Sequence, residues 1–257
     1  MPLLSAEGLT RRFGGLVALT GFDLAIEPGE LVGLIGPNGA GKTTVFNLIT
    51  GVYRPSAGRL FFDGKSIGGA APHTIARQGI ARTFQNIRLF PQLSVLDNVR
   101  VACGHGARCG PFSAMAQATR FGDEEDAITR RSLELLALFR LEKFALEAAG
   151  SLPYGSQRRL EIARALSLSP KLLLLDEPAA GMNPAEMREL RELIVRLKSE
   201  FGLTILLIEH HMDLVMEVCE RLVVLDFGVV IARGTPAEVR RDPKVLESYL
   251  GEAPVQR

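Results

Sequence analysis

Gly36-Pro37-Asn38-Gly39-Ala40-Gly41-Lys42-Thr43-Thr44, directly after the apolar run Leu31-Val32-Gly33-Leu34-Ile35, is the stretch whose reading decides the fold. It fits the pattern G-x-x-x-x-G-K-[ST], in which a strand turns through glycines into a helix. The apolar run reads as a strand buried on both faces. Val45–Thr50 continues as a helix. The glycines let the backbone curl so that several N–H groups point at one phosphate, and the helix adds the positive end of its dipole. In such a loop Lys42 is the candidate for the β- and γ-phosphates. Thr43, followed by Thr44, is the candidate for a Mg²⁺ ion. The segment therefore predicts an α/β protein with a nucleotide-phosphate site spanning Gly36 to Thr44.

The complementary half of such a site is Leu172-Leu-Leu-Leu175-Asp176-Glu177-Pro178. An apolar run ending in an acid places a carboxylate at the carboxyl end of a buried strand, where α/β sheets bind ligands. Asp176 suits a metal shell, and Glu177 is the candidate general base for an attacking water. Together the two segments say nucleoside triphosphatase, and no more.

Working outward, residues 2–27 read as short strands with turns at Gly14-Gly15 and Pro28-Gly29. Residues 58–67 read as strand around an Asp63-Gly64 turn. From 91 to 165 the strand signals vanish, and Ile128, Leu135, Leu136 and Phe139 recur at helical spacing, so a helical insert separates the two halves of the site. Asn183-Pro184-Ala-Glu186 is a helix start, with Asn as cap, Pro in the first turn and Glu three after the cap. Met187, Leu190, Ile194, Leu197 and Phe201 share one face of that helix, and Gly202 ends it. Leu203–Ile208 and Leu222–Leu225 are further core strands. These readings divide the chain into an α/β core of 1–90 and 166–235, a helical part of 91–165 and a C-terminal helical tail of 236–257.

The chain has 257 residues, 47% hydrophobic and 23% charged, with a formal net charge of +1. That length supports a large core. The near-neutral charge offers no basic field for a polyanion, so nucleic acid is not an expected partner. No apolar stretch approaches the ~18 residues of a membrane span. The N-terminus lacks the basic start and long apolar stretch of a secretory signal, which predicts a cytoplasmic protein. Cys103, Cys109 and Cys219 make no disulfide framework. Cys103-Gly-His105-Gly-Ala-Arg-Cys109 offers three soft ligands where a structural zinc site wants four, and reads instead as a Gly-rich loop.

Four further segments resemble the ATPases of ABC transporters, and the resemblance covers about residues 3–251. Gln85, in ARTFQNIRLF, resembles that family's Q-loop glutamine, which implies contact with Mg²⁺, the γ-phosphate and a transmembrane partner. Leu152-Pro153-Tyr154-Gly155-Ser156-Gln157 resembles the signature LSGGQ, which implies that Gly155, Ser156 and Gln157 face ATP held by an opposite subunit. Pro153 departs from the usual serine, so its hydroxyl contact is lost, and Ser156 stands at the usual glutamine. Asn183 stands where the D-loop has aspartate. Glu209-His210 resembles the switch histidine. His211 competes for that role from a slot often held by aspartate. His73 and His105 sit in loop-like contexts. Phe13 resembles the aromatic that stacks on adenine, although a core-facing strand Phe reads nearly as well.

Within the family, RRFGGLVAL, ARTFQNIRLF, YGSQRRLEIARAL, DEPAAGMNP and IEHHMDLV resemble the longer ATPase subunit of branched-chain amino-acid importers. The resemblance implies a P-loop cassette fold: a RecA-like mixed-sheet core, an N-terminal antiparallel β subdomain and an inserted helical subdomain. It implies ATP and Mg²⁺ as ligands, with Glu177, His210, Gln85 and Lys42 as the hydrolytic set and Thr43, Gln85 and Asp176 around the metal. It implies partners: two transmembrane permease subunits, a second ATPase or another copy of this chain in a head-to-tail dimer, and, indirectly, an extracellular or periplasmic solute-binding protein. The place implied is the cytoplasmic face of the membrane. Rival readings are another transporter branch (urea and short amides, or lipopolysaccharide export), a DNA-repair or chromosome ATPase, and a translation factor. The last two lack their usual long coiled coils or second cassette here.

Overall fold

In the computed structural model, residues 1–103 and 118–250 are described, with side chains left out for 118–124 and 250. The His105 and Cys109 of the soft-ligand run lie outside the described residues, and Cys103 is the last residue of a helix, Val95–Cys103.

Two sheets organise the chain. The first is antiparallel, in the order β2-β1-β4-β5, built from β1 (Leu4–Phe13), β2 (Leu16–Ile26), β4 (Ala57–Phe62) and β5 (Lys65–Ser66). The first two strands are longer than expected, at 10 and 11 residues. The Gly14-Gly15 and Asp63-Gly64 turns fall where the sequence put them. The second sheet is mixed, in the order β10-β9-β3-β8-β7-β6. Its strands are β3 (Leu31–Ile35), β6 (Ile80–Arg82), β7 (Leu172–Asp176), β8 (Thr204–Ile208), β9 (Arg221–Asp226) and β10 (Val229–Gly234). Only β10 runs antiparallel to its neighbour.

All residues of β3, β7 and β8 are buried, because the central sheet is covered on both sides. Alternation sorts them into two apolar clusters. Leu31, Leu173, Leu175, Ile205 and Leu207 join the helical side, with Leu160, Ile162 and Ile194. Val32, Leu34, Leu172, Leu174, Leu206 and Ile208 join the side of the antiparallel sheet, with Leu4, Phe22, Phe46 and Phe62. A one-residue slip in any of these strands would exchange its two faces.

The helices are α1 (Lys42–Ile49), α2 (Pro72–Gln78), α3 (Val95–Cys103), α4 (Ala118–Leu138), α5 (Tyr154–Leu166), α6 (Pro184–Phe201), α7 (Met212–Val218), α8 (Pro236–Val239) and α9 (Pro243–Leu250). Among the described residues of 91–165 lie α3, α4 and all but the last residue of α5, and the β pairing there is one isolated bridge between Ser94 and Ala148. Helix α6 begins with the full capping box expected of Asn183 and Glu186, and Gly202 closes it in the left-handed region at φ 59°. Two expectations need correcting. His73 lies in α2, not in a loop. Phe201 is 53% exposed at the end of α6, while Leu193 takes a buried place on that helix. No described helix is long and apolar enough to cross a membrane.

Candidate nucleotide site

The carboxyl ends of β3, β7 and β8 come together because those strands are parallel neighbours: Leu34 pairs with Ile208, and Asp176 pairs with Ile208. Each strand end delivers one part of the site, at the place where parallel sheets bind ligands.

From β3 the chain turns at Gly36, where φ is 147°. A Cβ there would lie 2.0 Å from the Leu225 carbonyl oxygen, so no other residue fits. Pro37 and Ala40 are buried, Asn38 and Gly39 exposed, and Gly41 opens α1. Thr43 is exposed and Thr44 half-buried on the first turn. Lys42 is buried, and its Nζ donates to the carbonyls of Gly36 at 2.6 Å and Pro37 at 2.8 Å. The ammonium group thus lies inside the curl of its own loop.

From β7 come Asp176 and Glu177. Asp176 is buried, and its Oδ2 pairs with Arg82 Nη2 at 2.7 Å, with side-chain exposures of 5% and 7%. Arg82 also donates to Asn47 Oδ1 at 2.7 Å, and its guanidinium lies 5.3 Å from the ring centre of Phe46 and 5.1 Å from that of Phe84. This arginine, at the end of the edge strand β6, was not among the residues singled out from sequence. Glu177 has φ 47°. A non-glycine residue in that region carries backbone strain of about 1–3 kcal/mol. Its N–H donates to the Ile208 carbonyl at 2.9 Å, and its Oε2 accepts from Gln85 Nε2 at 2.8 Å. The three-way meeting is completed by His210, whose Nδ1 lies 3.8 Å from the same oxygen.

From β8 come Glu209, His210 and His211, whose possible ligand atoms lie within 4.8 Å of one another. They form a brace rather than an open metal site. Glu209 Oε1 accepts from the Ala179 N–H at 2.7 Å, and Oε2 accepts from the N–H groups of His210 and His211 and meets His211 Nδ1 at 3.0 Å. The two ring centres lie 4.3 Å apart, tilted by 35°; His210 Nδ1 lies 3.8 Å from Glu177 Oε2 and 3.9 Å from Glu209 Oε2, whereas His211 Nδ1 meets Glu209 at 3.0 Å. Of the two competing histidines, His210 is the one that approaches Glu177.

The remaining candidates lie apart from this cluster. Helix α5 starts at Tyr154 with Pro153 as cap and no side-chain cap bond. Gly155 is buried; a Cβ there would lie 2.3 Å from Glu186 Oε1. Ser156 is buried, its Oγ accepting from Arg159 Nη2 at 3.1 Å, and Gln157 Nε2 donates to the Leu152 carbonyl at 2.8 Å. Both side chains thus bond within the chain through one atom each, Ser156 by its oxygen and Gln157 by its nitrogen. Phe13 is 38% exposed and in neither apolar cluster; it packs edge-on against Tyr53 at 5.0 Å and under Arg11 at 4.4 Å. The core-facing alternative for Phe13 is thereby removed.

A glycine-rich loop wrapped on a lysine, an acid pair at the next strand but one, and a histidine between them define a P-loop nucleotide-binding protein. The family model described as ABC transporter matches residues 19–180, and a second, described as branched-chain amino acid ATP-binding cassette transporter, matches 229–254. The chain belongs to the ABC transporter family, as an ATP-binding cassette with ATPase chemistry. It is 46% identical over 252 residues to the high-affinity branched-chain amino acid transport ATP-binding protein BraF of Pseudomonas aeruginosa, covering 98% of this chain and 99% of the relative. It is equally similar to LivG of Escherichia coli K12, with the same coverage. A nucleotide-free ATP-binding cassette from an ABC transporter superposes with a TM-score of 0.84 at 32% identity, covering 98% of this chain and 100% of that one. A dimeric cassette in a post-hydrolysis state, bound to ADP and Pi, superposes with a TM-score of 0.77 at 26% identity, covering 91% and 98%.

Proposed function

We propose that this chain is the ATPase subunit of an importer for branched-chain amino acids, working as one half of a head-to-tail pair of cassettes. The observation that carries the hydrolytic part is the meeting of Gln85, Glu177 and His210 on one carboxylate oxygen beside the P-loop. The solute class rests on the similarity to BraF and LivG, which runs the length of the chain.

The roles follow from position. Gly36 to Thr44 cradles the phosphates of ATP with backbone N–H groups, and Lys42 exchanges its two carbonyl partners for phosphate oxygens. Glu177 takes the proton of the attacking water, which His210 orients. Transfer is in line, so the chain mainly positions and neutralises. Asp176, the exposed Thr43 hydroxyl and the Gln85 amide oxygen are hard oxygen donors of the kind Mg²⁺ prefers, and Gln85 spends only its nitrogen on Glu177. These three residues would hold the ion, which neutralises charge on the phosphate oxygens. Phe13 offers an exposed ring to the adenine. Gly155 and the N–H groups around it face the ATP of the opposite cassette, with Ser156 and Gln157 shaping that helix start.

In this reading the core is 1–90 and 166–235, the helical part 91–165 and the tail 236–257, and closure of the pair is passed to the membrane subunits through the Gln85 loop and the helical part. Exposed Phe90 and Leu93, close in sequence to Gln85, favour this region as the seat of two transmembrane permease subunits at the cytoplasmic membrane face. A solute-binding protein would act through those subunits.

Two measurements test the proposal. Glu177→Gln is expected to keep ATP affinity and lower turnover by ~10²–10⁴-fold, the usual worth of a positioned general base; near-wild-type hydrolysis sinks the assignment. A tagged pull-down from detergent-solubilised membranes is expected to recover two very hydrophobic subunits and a second ATPase. Recovery of soluble or nucleic-acid partners alone removes the transport claim and leaves the ATPase standing.

A further inference from the structure

One turn into α5 lies a buried ion pair that meets backbone. Arg158 Nη1 and Glu161 Oε2 are 3.2 Å apart, and both side chains are 2% exposed. Arg158 Nη1 donates to the Phe84 carbonyl at 2.6 Å, and Nη2 donates to the Gln85 carbonyl. Glu161 Oε1 accepts from the N–H of Phe84 at 3.3 Å and of Arg88 at 3.2 Å. Two opposite charges on a single helix turn therefore satisfy two carbonyls and two amides of one loop. Burial pushes the Glu161 carboxyl above its usual range, while the Arg88 amide, the Arg158 charge and the Phe84 amide pull it back.

A buried ion pair is a poor device for stability alone, because desolvating two charges offsets most of their attraction and a packed apolar pair serves as well. An apolar pair could not hold four backbone groups at fixed places, however. The guanidinium also lies 5.5 Å from the ring centre of Tyr154, the neighbour of Gly155. On the other side, the residue whose carbonyl it holds, Gln85, reaches Glu177 at 2.8 Å.

We propose that Arg158 and Glu161 are positioning residues for ATP hydrolysis: they lock the Phe84–Arg88 backbone to α5, so that where the Gly155 end of α5 stands sets the distance between Gln85 and Glu177. The proposal rests on the reading of Glu177 as the general base. Its physical content is a short rigid path: one helix turn, one guanidinium, one peptide and one amide side chain.

The test uses the full chain with Glu161→Gln and Arg158→Lys. Amide hydrogen exchange and steady-state ATPase are measured together. Glu161→Gln replaces a charged acceptor by an amide, so exchange at the Phe84 and Arg88 N–H groups is expected to speed up at least about tenfold. The amides of Leu172–Leu175 in the core strand are the control and stay protected. Turnover is expected to fall at least about tenfold, since misplacing a reacting group by ~1 Å can cost ~100-fold. The KM for ATP stays within about twofold, because the P-loop is untouched. Arg158→Lys keeps the charge but loses the fork, and falls between wild type and Glu161→Gln in kcat. Unchanged exchange at Phe84 and Arg88 overturns the clamp. Faster exchange there with unchanged kcat overturns the positioning role, as does a loss of kcat that comes only with faster exchange in the core strand. A wild-type chain without hydrolysis would sink the Glu177 reading and this role together; hydrolysis with unaltered kcat in both variants sinks this role alone.

Discussion

Replacing Arg82 with Met probes the tightest charged contact under the site. The pair Arg82–Asp176 is 2.7 Å across with 7% and 5% side-chain exposure. At an effective dielectric constant of about 20, two unit charges at that distance attract by about 6 kcal/mol. Desolvating both groups costs several kcal/mol each, so the pair as a whole comes near break-even. Removing one partner is different, because it leaves the Asp176 carboxylate buried without its countercharge. Arg82→Met is therefore expected to lower unfolding free energy by about 3–5 kcal/mol. It also strands Asn47 Oδ1, which now takes a 2.7 Å bond. The assay is urea denaturation followed by circular dichroism, run as a double-mutant cycle with Asp176→Asn. Arg82→Met is expected to cost much less when Asp176 is already Asn, giving a coupling of at least about 1.5 kcal/mol, within the range seen for contacting residues. Additive single costs, or a cost for Arg82→Met below about 1 kcal/mol, refute it.

Three other outcomes are expected. Asn183→Ala removes the side-chain half of the capping box on α6 and should cost about 1 kcal/mol of unfolding free energy by the same assay; a change near zero would mean that the cap adds nothing. Pro153→Ser should stabilise the start of α5, which has no side-chain cap bond, by about 1 kcal/mol, and, in a Glu177→Gln background, tighten ATP-driven dimerisation seen by size-exclusion chromatography; unchanged dimerisation rules out a weakened signature face. Burial, with a smaller contribution from the Glu220 charge, pushes the Cys219 thiol up to about 12. Because the folded-state value is raised, the folded form keeps the proton longer than the unfolded chain, whose thiol titrates near ~8.5. That contribution to stability is whole below about pH 8.5 and is lost as pH rises toward 12. Iodoacetamide at pH 8, read by peptide mass, should modify Cys219 only in denaturant; equal rates in native and unfolded protein contradict its burial.

What the sequence made legible was chemistry written in consecutive residues. The Gly36–Thr44 loop, the Asp176-Glu177 pair and the Asn183–Gly202 helix each carry their own turn, cap or strand signal within a few positions. What escaped depended on partners distant in sequence. Strand β6 has three residues, too few to show alternation, and exists through its pairing with Leu172–Leu174. Helix α2 starts at Pro72 after Ala71, without a polar cap to announce it, so His73 read as loop. Val229–Gly234 is an edge strand defined by antiparallel pairing to β9. Arg82, Arg158 and Glu161 were given no role of their own, because hydropathy patterning cannot distinguish a solvated charge from one enclosed by backbone groups. That His210 rather than His211 approaches Glu177 depends on the direction of each ring, which neighbouring positions in a sequence do not give.

Lys42 bears on how controls for this protein are chosen. Its ammonium group ties the carbonyls of Gly36 and Pro37 from inside the loop. A Lys42→Ala chain, made as a dead reference for nucleotide work, therefore loses two internal fastenings of the cradle along with a phosphate contact. Its failure to bind would mix altered loop shape with lost charge, and a titration cannot separate them. Glu177→Gln leaves those fastenings intact, so it is the variant against which partner capture, dimerisation and transport by this chain are best compared.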